Sequence, residues 1–357
     1  MKQTLSKIIY SILTAVLLFF AIAIKTMASP YFRNVSLEQA GPAYAIEQDD
    51  DGLIWVGTAQ GLCCFDGYRL VPHREAGMDS IVYAVCCRND KVIIGGTQGL
   101  SIYDRLQGRT VTIDHPLKTE VRELVTMNGQ VYVGTNQGLY LLKPDEGKLT
   151  RLSAFPQQIL ALTPTDRGLL IGTMNGLYEY TDGRCRQLPV FDAQQQRVVS
   201  AIAYDRQTGK YWLGSFEHLY QYDLHTGELQ VYQPRSIVVK ALEVTPKGLF
   251  ICADDGLYIL KDGQVEHLVH DSRNPSSLGN NIVWDAFRDK TGNIYMGTDL
   301  CLSVIAQKGL ADYSQLGVLT GFPMGNVLTS VMYDRQGMLW MGGTGGLIRM
   351  SSPVCWF

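Results

Sequence analysis

The chain lacks the short motifs by which most enzyme sites are recognised. It has no G-x-S-x-G nucleophile elbow, no P-loop, no H-E-x-x-H zinc motif and no paired C-x-x-C. Its six histidines are scattered, and His267 and His270 have no further ligands at a spacing that suits zinc. Asp49-Asp50-Asp51-Gly52 resembles part of a calcium loop but lacks the downstream glutamate. We therefore expect no enzymatic activity, no metal and no cofactor.

Charge is also scarce. Charged residues make up 18% of the 357 residues, and the net charge is -3. A small negative charge excludes the basic footprint of a nucleic-acid-binding protein. No run of like charges or low-complexity tract occurs, which argues against long disordered linkers.

A long apolar run occurs only at the N-terminus. Lys2 and Lys7 precede the apolar stretch from Ile8 to Ile24, and Thr26-Met27-Ala28 offers the small residues of a cleavage site. This pattern predicts an export signal over residues 1–28, with an uncleaved membrane anchor as the alternative. Both interpretations place the rest of the chain outside the cytoplasm and limit membrane contact to this segment.

Export would normally suggest that the eight cysteines form disulfides. Two adjacent pairs, Cys63-Cys64 and Cys86-Cys87, lie in predicted strands, so the members of each pair point to opposite faces. Cys252 and Cys301 occupy positions that glycine fills in similar segments. We predict free buried thiols, with one bridge between neighbouring sheets as the alternative.

The most informative feature that is present is a repeat. Each copy has a large apolar residue, then glycine two positions later, then leucine five positions after that, and copies recur every 38 to 45 residues or so. Cys252 replaces the glycine in one copy. The eight copies begin at Trp55, Ile93, Tyr132, Leu170, Trp212, Phe250, Tyr295 and Trp340.

Each copy contains four short apolar-rich runs separated by turn residues, which predicts a four-stranded antiparallel sheet. In the copy around Tyr295, the predicted strands are Ile282–Phe287, Ile294–Met296, Leu302–Ile305 and Ala311–Leu316. Such a sheet cannot bury both of its apolar faces alone, so neighbouring sheets should stack around an axis. The predicted fold is all-β, a β-propeller of four-stranded antiparallel blades.

The segment Tyr31–Ser36 is predicted to be the fourth strand of a blade whose other three strands do not precede it in the sequence. The number of blades depends on which blade this strand joins. We favour a seven-bladed propeller over residues 31–316, closed by this strand against the blade of Gly297. Residues 317–357 would then be the orphan first blade of a truncated second propeller, with unpaired edges. The alternative is one eight-bladed ring in which the same strand completes the blade of Trp340.

One turn of the repeat carries polar side chains in six copies. It joins the second and third strands of each blade, and we predict that these side chains ring one mouth of the channel. Amide and carboxylate groups suit a hydroxyl-rich ligand; the alternative is that they are ordinary turn residues. The candidate ligand-binding residues are Gln60, Gln98, Gln137, Asn175, Glu217 and Asp255.

Several motifs resemble the two-component regulator propeller repeat. They are Asp49 to Gly67, Asp334 to Gly342 and the approach Asn274 to Ile282. The resemblance covers nearly everything after the signal. It implies the periplasmic sensor region of a hybrid two-component histidine kinase, with oligosaccharides as the usual ligand class. The chain stops at Phe357 with no kinase, so we expect a truncated sensor that is unlikely to signal alone.

The leading functional hypothesis is therefore a periplasmic ligand-sensing propeller that binds oligosaccharides. The partners it implies are an oligosaccharide and a second copy of the chain in a homodimer. The alternative is a protein-interaction scaffold without a small-molecule ligand. A lyase or hydrolase propeller ranks last, because no converging set of catalytic groups is recognisable.

Overall fold

A computed structural model describes residues 31–35, 41–74, 80–114, 117–153, 158–191, 198–232, 237–289, 292–307, 316–318 and 327–351. The predicted export signal over residues 1–28 lies outside this part of the chain, as does Cys355. Within the described ranges the secondary structure consists of strands. No helix there is long and apolar enough to cross a bilayer.

The strands form eight four-stranded antiparallel sheets, numbered below as blades 1 to 8 in chain order of their first strands. The innermost strands are β2 (Ala43–Gln48), β6 (Val82–Arg88), β10 (Val121–Met127), β14 (Ile159–Pro164), β18 (Ala201–Asp205), β22 (Val239–Thr245), β26 (Val283–Arg288) and β30 (Leu328–Tyr333). The second strands are β3 (Ile54–Thr58), β7 (Lys91–Gly96), β11 (Gln130–Thr135), β15 (Leu169–Thr173), β19 (Lys210–Gly214), β23 (Gly248–Ala253), β27 (Ile294–Thr298) and β31 (Leu339–Gly343). The third strands are β4 (Gly61–Phe65), β8 (Gly99–Asp104), β12 (Leu139–Lys143), β16 (Gly176–Thr181), β20 (Leu219–Tyr222), β24 (Leu257–Lys261), β28 (Leu302–Ile305) and β32 (Gly346–Ser351). The outermost strands are β5 (Leu70–Pro72), β9 (Arg109–Thr110), β13 (Lys148–Ser153), β17 (Arg184–Gln187), β21 (Leu229–Val231), β25 (Gln264–Leu268), β29 (Leu316–Val318) and, in blade 8, β1 (Tyr31–Val35).

The blades are arranged in a closed ring. Each innermost strand contacts the innermost strands of both neighbouring blades, and β30 of blade 8 contacts β2 of blade 1. The predicted β-propeller of four-stranded blades is confirmed.

The ring has eight blades, so the favoured seven-bladed closure is wrong and its alternative is correct. Strand β1 pairs antiparallel with β32, with Tyr31 opposite Ser351 and Val35 opposite Leu347. The blade of Gly297 needs no such strand, because β29 already pairs with β28. Within the described residues its fourth strand is Leu316–Val318. The predicted strand Ala311–Leu316 meets it at Leu316 and otherwise lies outside the described residues.

The recurring residues seal the junctions between blades. Trp55 is 2% exposed and packs with Val82 of the next blade. A Cβ atom added at Gly57 would lie 2.6 Å from Val82 Cγ1, so only glycine allows this approach without movement. Cys252, which replaces the glycine in blade 6, is fully buried against Val283. These contacts give the recurring tryptophan and glycine positions a packing role.

All seven described cysteines are free thiols. Cys63 packs in the cluster shared with blade 8, whereas Cys64 packs in the cluster shared with blade 2. The members of this adjacent pair therefore point to opposite faces, as expected. Burial raises the pKa of the Cys63 thiol to about 11 and that of Cys64 to about 12. Both thiols are consequently neutral packing groups.

Candidate functional site

The two ends of the ring differ in which connections they carry. We call the end at which the innermost strands begin the upper face. The turns between second and third strands lie on it, because each blade is an antiparallel meander. The end at which the innermost strands finish is the lower face. It carries the other two turns of blades 1 to 7 and the turn between the first and second strands of blade 8. All six predicted ligand-binding residues therefore lie on the upper face, one in each of blades 1 to 6.

In four of the six turns that hold these residues, a threonine or serine hydroxyl makes hydrogen bonds to the backbone of the turn. In blade 1 the Thr58 hydroxyl donates to the Gly61 carbonyl at 2.8 Å and accepts from the Gln60 amide at 3.2 Å. The same pair of bonds is made by Thr135, Thr173 and Ser215. The backbone of the turn is thus satisfied internally, which leaves the side chain before the second glycine free to vary.

The predicted residues differ in how much they project into solvent. The exposed side chains are Gln60, Gln98, Gln137 and Asp255, whereas Asn175 and Glu217 are half-buried. The Asp255 carboxylate accepts a 2.7 Å hydrogen bond from the Tyr258 hydroxyl, so it is partly engaged within its own blade. That these six residues bind a ligand stays a prediction.

A second set of upper-face residues, which was not predicted from the sequence, lies nearer the axis. In seven blades one residue near the start of the innermost strand has no partner on the second strand, so the register shifts there by one residue. This irregularity is a β-bulge. Bulges re-aim side chains and are common beside functional sites. The bulged positions hold Tyr44, Tyr83, Arg122, Leu160, Lys240, Trp284 and Thr329.

Five of these side chains form two aromatic clusters with cations. In the first, the rings of Tyr44 and Tyr83 meet edge to face with centroids 5.5 Å apart, and Arg122 Cζ lies 4.3 Å from the Tyr83 centroid. In the second, Lys240 Nζ lies 4.3 Å from the centroid of Trp284. Each cluster spans neighbouring blades, and each offers an aromatic surface beside a positive charge.

Trp284 is the most exposed tryptophan described. Its side chain is 39% exposed, and its Nε1 donates a 2.5 Å hydrogen bond to Asp299 Oδ1 in the turn beside it. Trp55 and Trp340, by comparison, are 2% exposed. An indole held in place by an aspartate but left open to water is a typical platform for an amphipathic ligand.

Four carboxyl groups line the innermost strands below these clusters. Burial raises the pKa of Glu47, Glu123 and Glu243 to about 7 and that of Asp285 to about 6. The nearby Asp285 carboxyl further raises the pKa of Glu243. All four side chains are half-buried. The channel wall therefore changes its charge near neutral pH.

The sequence held a signal for the bulge residues. Tyr44, Tyr83 and Trp284 are aromatic residues that precede the large apolar residue of their repeats by eleven, ten and eleven positions. The register slip that turns them toward the upper face cannot be read from the pattern, since it depends on the pairing of two strands.

Comparison with known proteins agrees with this architecture. A family model for the two component regulator propeller matches residues 38–60. The resemblance to the two-component regulator propeller family is confirmed. No curated protein matches the chain.

Solved structures extend the likeness of this propeller beyond one repeat. The chain is 27% identical to the extracellular domain of the putative hybrid two component system BT4673 from B. thetaiotaomicron, with a TM-score of 0.59; the match covers 89% of this chain and 45% of that one. A second BT4673 structure, described as a putative one component system, is 23% identical with a TM-score of 0.59 over 89% and 52% of the two chains. The computationally designed Ika8 protein shares the fold at 17% identity and a TM-score of 0.67, over 89% of this chain and 98% of that one. The chain thus spans about half the length of the BT4673 domains that it matches.

Proposed function

We propose that this propeller is the periplasmic ligand-sensing part of a hybrid two-component sensor, and that it binds an oligosaccharide at the upper mouth of its channel. The family match and the likeness to a sensor's extracellular domain support the first half of this proposal. The aromatic and polar upper face supports the second. The observation that carries it is the exposed indole of Trp284 between Lys240 and Asp299.

Oligosaccharides suit this surface for chemical reasons. A sugar ring has an apolar face of C–H groups, which can lie against an aromatic ring, and a rim of hydroxyls that need hydrogen-bond partners. Trp284 supplies the flat apolar surface. The predicted ring of amides and carboxylates supplies donors and acceptors farther from the axis.

Calorimetry of the chain against a panel of oligosaccharides tests the proposal. We expect at least one member of the panel to bind, and Trp284→Ala to weaken that binding tenfold or more, because the stacking surface is lost. The matched control is Tyr68→Ala. Tyr68 is 78% exposed but lies in a lower-face turn of blade 1, so its loss should leave the affinity unchanged.

Two outcomes would contradict the proposal. A folded chain that binds none of the panel would exclude the oligosaccharide. Binding that Trp284→Ala leaves intact would place the ligand elsewhere. Sedimentation with and without a bound oligosaccharide would test the predicted homodimer at the same time.

The scaffold alternative predicts a continuous apolar patch on one face. The large exposed apolar side chains described are instead spread over both faces: Tyr68 and Leu106 lie in lower-face turns, and Met174 and Leu300 in upper-face turns. We therefore favour the small-molecule ligand over the scaffold.

A further inference from the structure

A cleft opens on the lower face between blades 5 and 6. Its volume is about 410 Å³, within the range of small-molecule sites. The turns at Asp205–Gly209, Thr245–Gly248 and Lys261–Gly263 form its rim, and the side chains of Trp212 and Gln221 lie deeper in its wall. It is at the opposite end of the ring from Trp284.

The polar groups of two buried side chains in this wall have no hydrogen-bond partner among the described residues. Trp212 is 5% exposed and Gln221 is 8% exposed. They are cross-strand neighbours on β19 and β20, so their side chains stand side by side. Among the residues that the structure describes, neither the Trp212 indole N–H nor the Gln221 amide makes a hydrogen bond. Buried polar groups are nearly always paired with protein or with water, so these two need a partner that enters from outside the protein.

Both polar groups reach the cleft and are not sealed in the core. The described side-chain nitrogen and oxygen atoms that are sealed without a partner are Arg105 Nε, Tyr220 Oη and Ser330 Oγ. Neither Trp212 nor Gln221 is among them, and both line the cleft. Their unsatisfied groups are therefore available to something that enters it.

The other inward-facing tryptophans use the same N–H internally. Trp55 Nε1 donates to Asp49 Oδ2 at 2.7 Å, and Trp340 Nε1 donates to Asp334 Oδ2 at 2.8 Å. Both aspartates precede their tryptophan by six residues. In blade 5 the turn is one residue longer, and the Asp205 carboxylate instead accepts from the backbone amide of Gln207 at 2.9 Å.

We propose that this cleft binds a small neutral ligand through a secondary amide, such as the acetamido group of an N-acetylated sugar or a peptide group. The Trp212 N–H would donate to the amide oxygen, and Gln221 Oε1 would accept from the amide N–H. The described residues of the wall include no buried charged group that could balance a charged ligand, because the lysines and aspartates lie at the rim. Tyr232, Leu249 and Leu260 provide apolar contacts for the acyl methyl group.

Calorimetry of the full chain with three probes tests this inference. The probes are N-acetylglucosamine, glucose as the same ring without the amide, and N-acetylalanine methylamide as a peptide mimic. We expect N-acetylglucosamine, the peptide mimic or both to bind, and glucose to bind at least tenfold more weakly. The comparison of the two amides tells whether the amide source is a sugar or a peptide. Equal affinity for glucose, or no binding of either amide, would overturn the proposal.

Variants assign the binding to the cleft. Gln221→Met keeps the side-chain volume but removes the amide, and we expect at least a tenfold loss of affinity. Gln230→Met is the matched control, because Gln230 pairs with Gln221 across strands β20 and β21 but is exposed. Trp212→Phe should weaken binding to a similar degree. Unchanged affinity in Gln221→Met, with its melting temperature preserved, would overturn the assignment.

The two ligand proposals can fail independently. Trp284→Ala removes the upper-face surface and should not change amide binding in the cleft. Conversely, Gln221→Met should not change oligosaccharide binding at the upper face.

Discussion

The junction between blades 1 and 2 and the junction between blades 5 and 6 share their packing near the axis but differ at the lower face. In each, a tryptophan of the first blade packs against a valine of the second, Trp55 against Val82 and Trp212 against Val239. At the lower face of the first junction, Arg105 Nη1 lies 2.9 Å from Asp49 and 2.7 Å from Asp51. Blades 5 and 6, both described there, have no ion pair or hydrogen bond between their lower-face turns.

Other lower-face junctions also carry arginine bridges. Arg335 of blade 8 donates to the carbonyls of Asp49 and Asp50 in blade 1, each at 2.7 Å. Arg167 of blade 4 donates to the Leu224 carbonyl of blade 5 at 3.0 Å. The residues of the repeat therefore determine the packing near the axis of a junction, whereas single residues in the turns determine the contacts at its lower face.

We call the junction between blades 1 and 2 closed, because Arg105 bridges it at the lower face, and the junction between blades 5 and 6 open. The largest expected effect comes from Asp49 at the closed junction. Asp49 is 1% exposed, and Trp55 Nε1, the Leu53 amide and Arg105 all depend on its carboxylate. We expect Asp49→Ala to lower the free energy of unfolding by about 3–5 kcal/mol, as when one partner of a buried charge pair is removed. Asp205→Ala should cost only about 1 kcal/mol, because its turn amides are exposed. Urea unfolding measures both, and equal losses would show that the two junctions are alike.

The next effect tests whether the junctions are the same near the axis. A Cβ atom at Gly57 would lie 2.6 Å from Val82 Cγ1, and one at Gly214 would lie 2.4 Å from Val239 Cγ1. Alanine at either position should therefore destabilise the fold by a similar amount, about 1–3 kcal/mol. A much smaller loss for Gly214→Ala would mean that the open cleft relaxes the whole of its junction.

A shortened turn should convert the open junction toward the closed type. Deleting Thr208 gives blade 5 the same spacing of aspartate and tryptophan as blades 1 and 8. We expect Asp205 to accept the Trp212 N–H, with a gain of about 1 kcal/mol and loss of amide binding in the cleft. Thr208→Gly keeps the turn length and is the control. Thermal unfolding and calorimetry check the result, and a deletion variant that still binds the amide would contradict it.

The last effect concerns pH, and it should be similar in blades 1 and 6. Glu47 and Glu243 occupy equivalent positions in blades 1 and 6, and burial raises the pKa of each from 4.5 to about 7. The unfolded chain loses these protons near pH 4.5, whereas the folded chain keeps them to about pH 7. The free energy of unfolding therefore falls as pH rises from about 4.5 to 7 and is steady above that.

Substitution separates the contributions of the two glutamates. Glu47→Gln and Glu243→Gln should each make the fall shallower, by on the order of 2 °C in melting temperature across this range. Glu266→Gln, at an exposed position of β25, is the control and should follow the unchanged chain. If either glutamine variant keeps the full fall, its glutamate does not share the raised pKa.

Much of this fold could be predicted because the repeat encodes it locally. The apolar residue, the glycine and the leucine each recur for packing reasons within one junction. Ring closure could not be predicted in the same way, because β1 pairs with a strand from the far end of the described chain. The sequence of Tyr31–Ser36 identifies an outer strand but not its partner, so the wrong blade was favoured.

The candidate sites were harder to predict than the fold. The polar turn residues were found because they follow the repeat, and the structure places them on one face. Trp284 and Tyr83 were missed because a bulge, which depends on strand pairing, turns them to that face. The unpaired Trp212 N–H in the cleft follows from the extra residue in the turn after Asp205. The sequence shows this extra residue, but its effect becomes clear only from the hydrogen bonds that Trp55 and Trp340 make.

The way in which β1 completes blade 8 also bears on how the chain folds. Blades 1 to 7 are each continuous in sequence and can form from local contacts, but blade 8 must bring together segments from opposite ends of the propeller. Because closing so long a loop costs entropy, we expect this pairing to form late in folding. The five residue pairs between β1 and β32 hold the ring closed. A pulling force applied to the two ends of the propeller should therefore separate β1 from β32 before any blade unfolds.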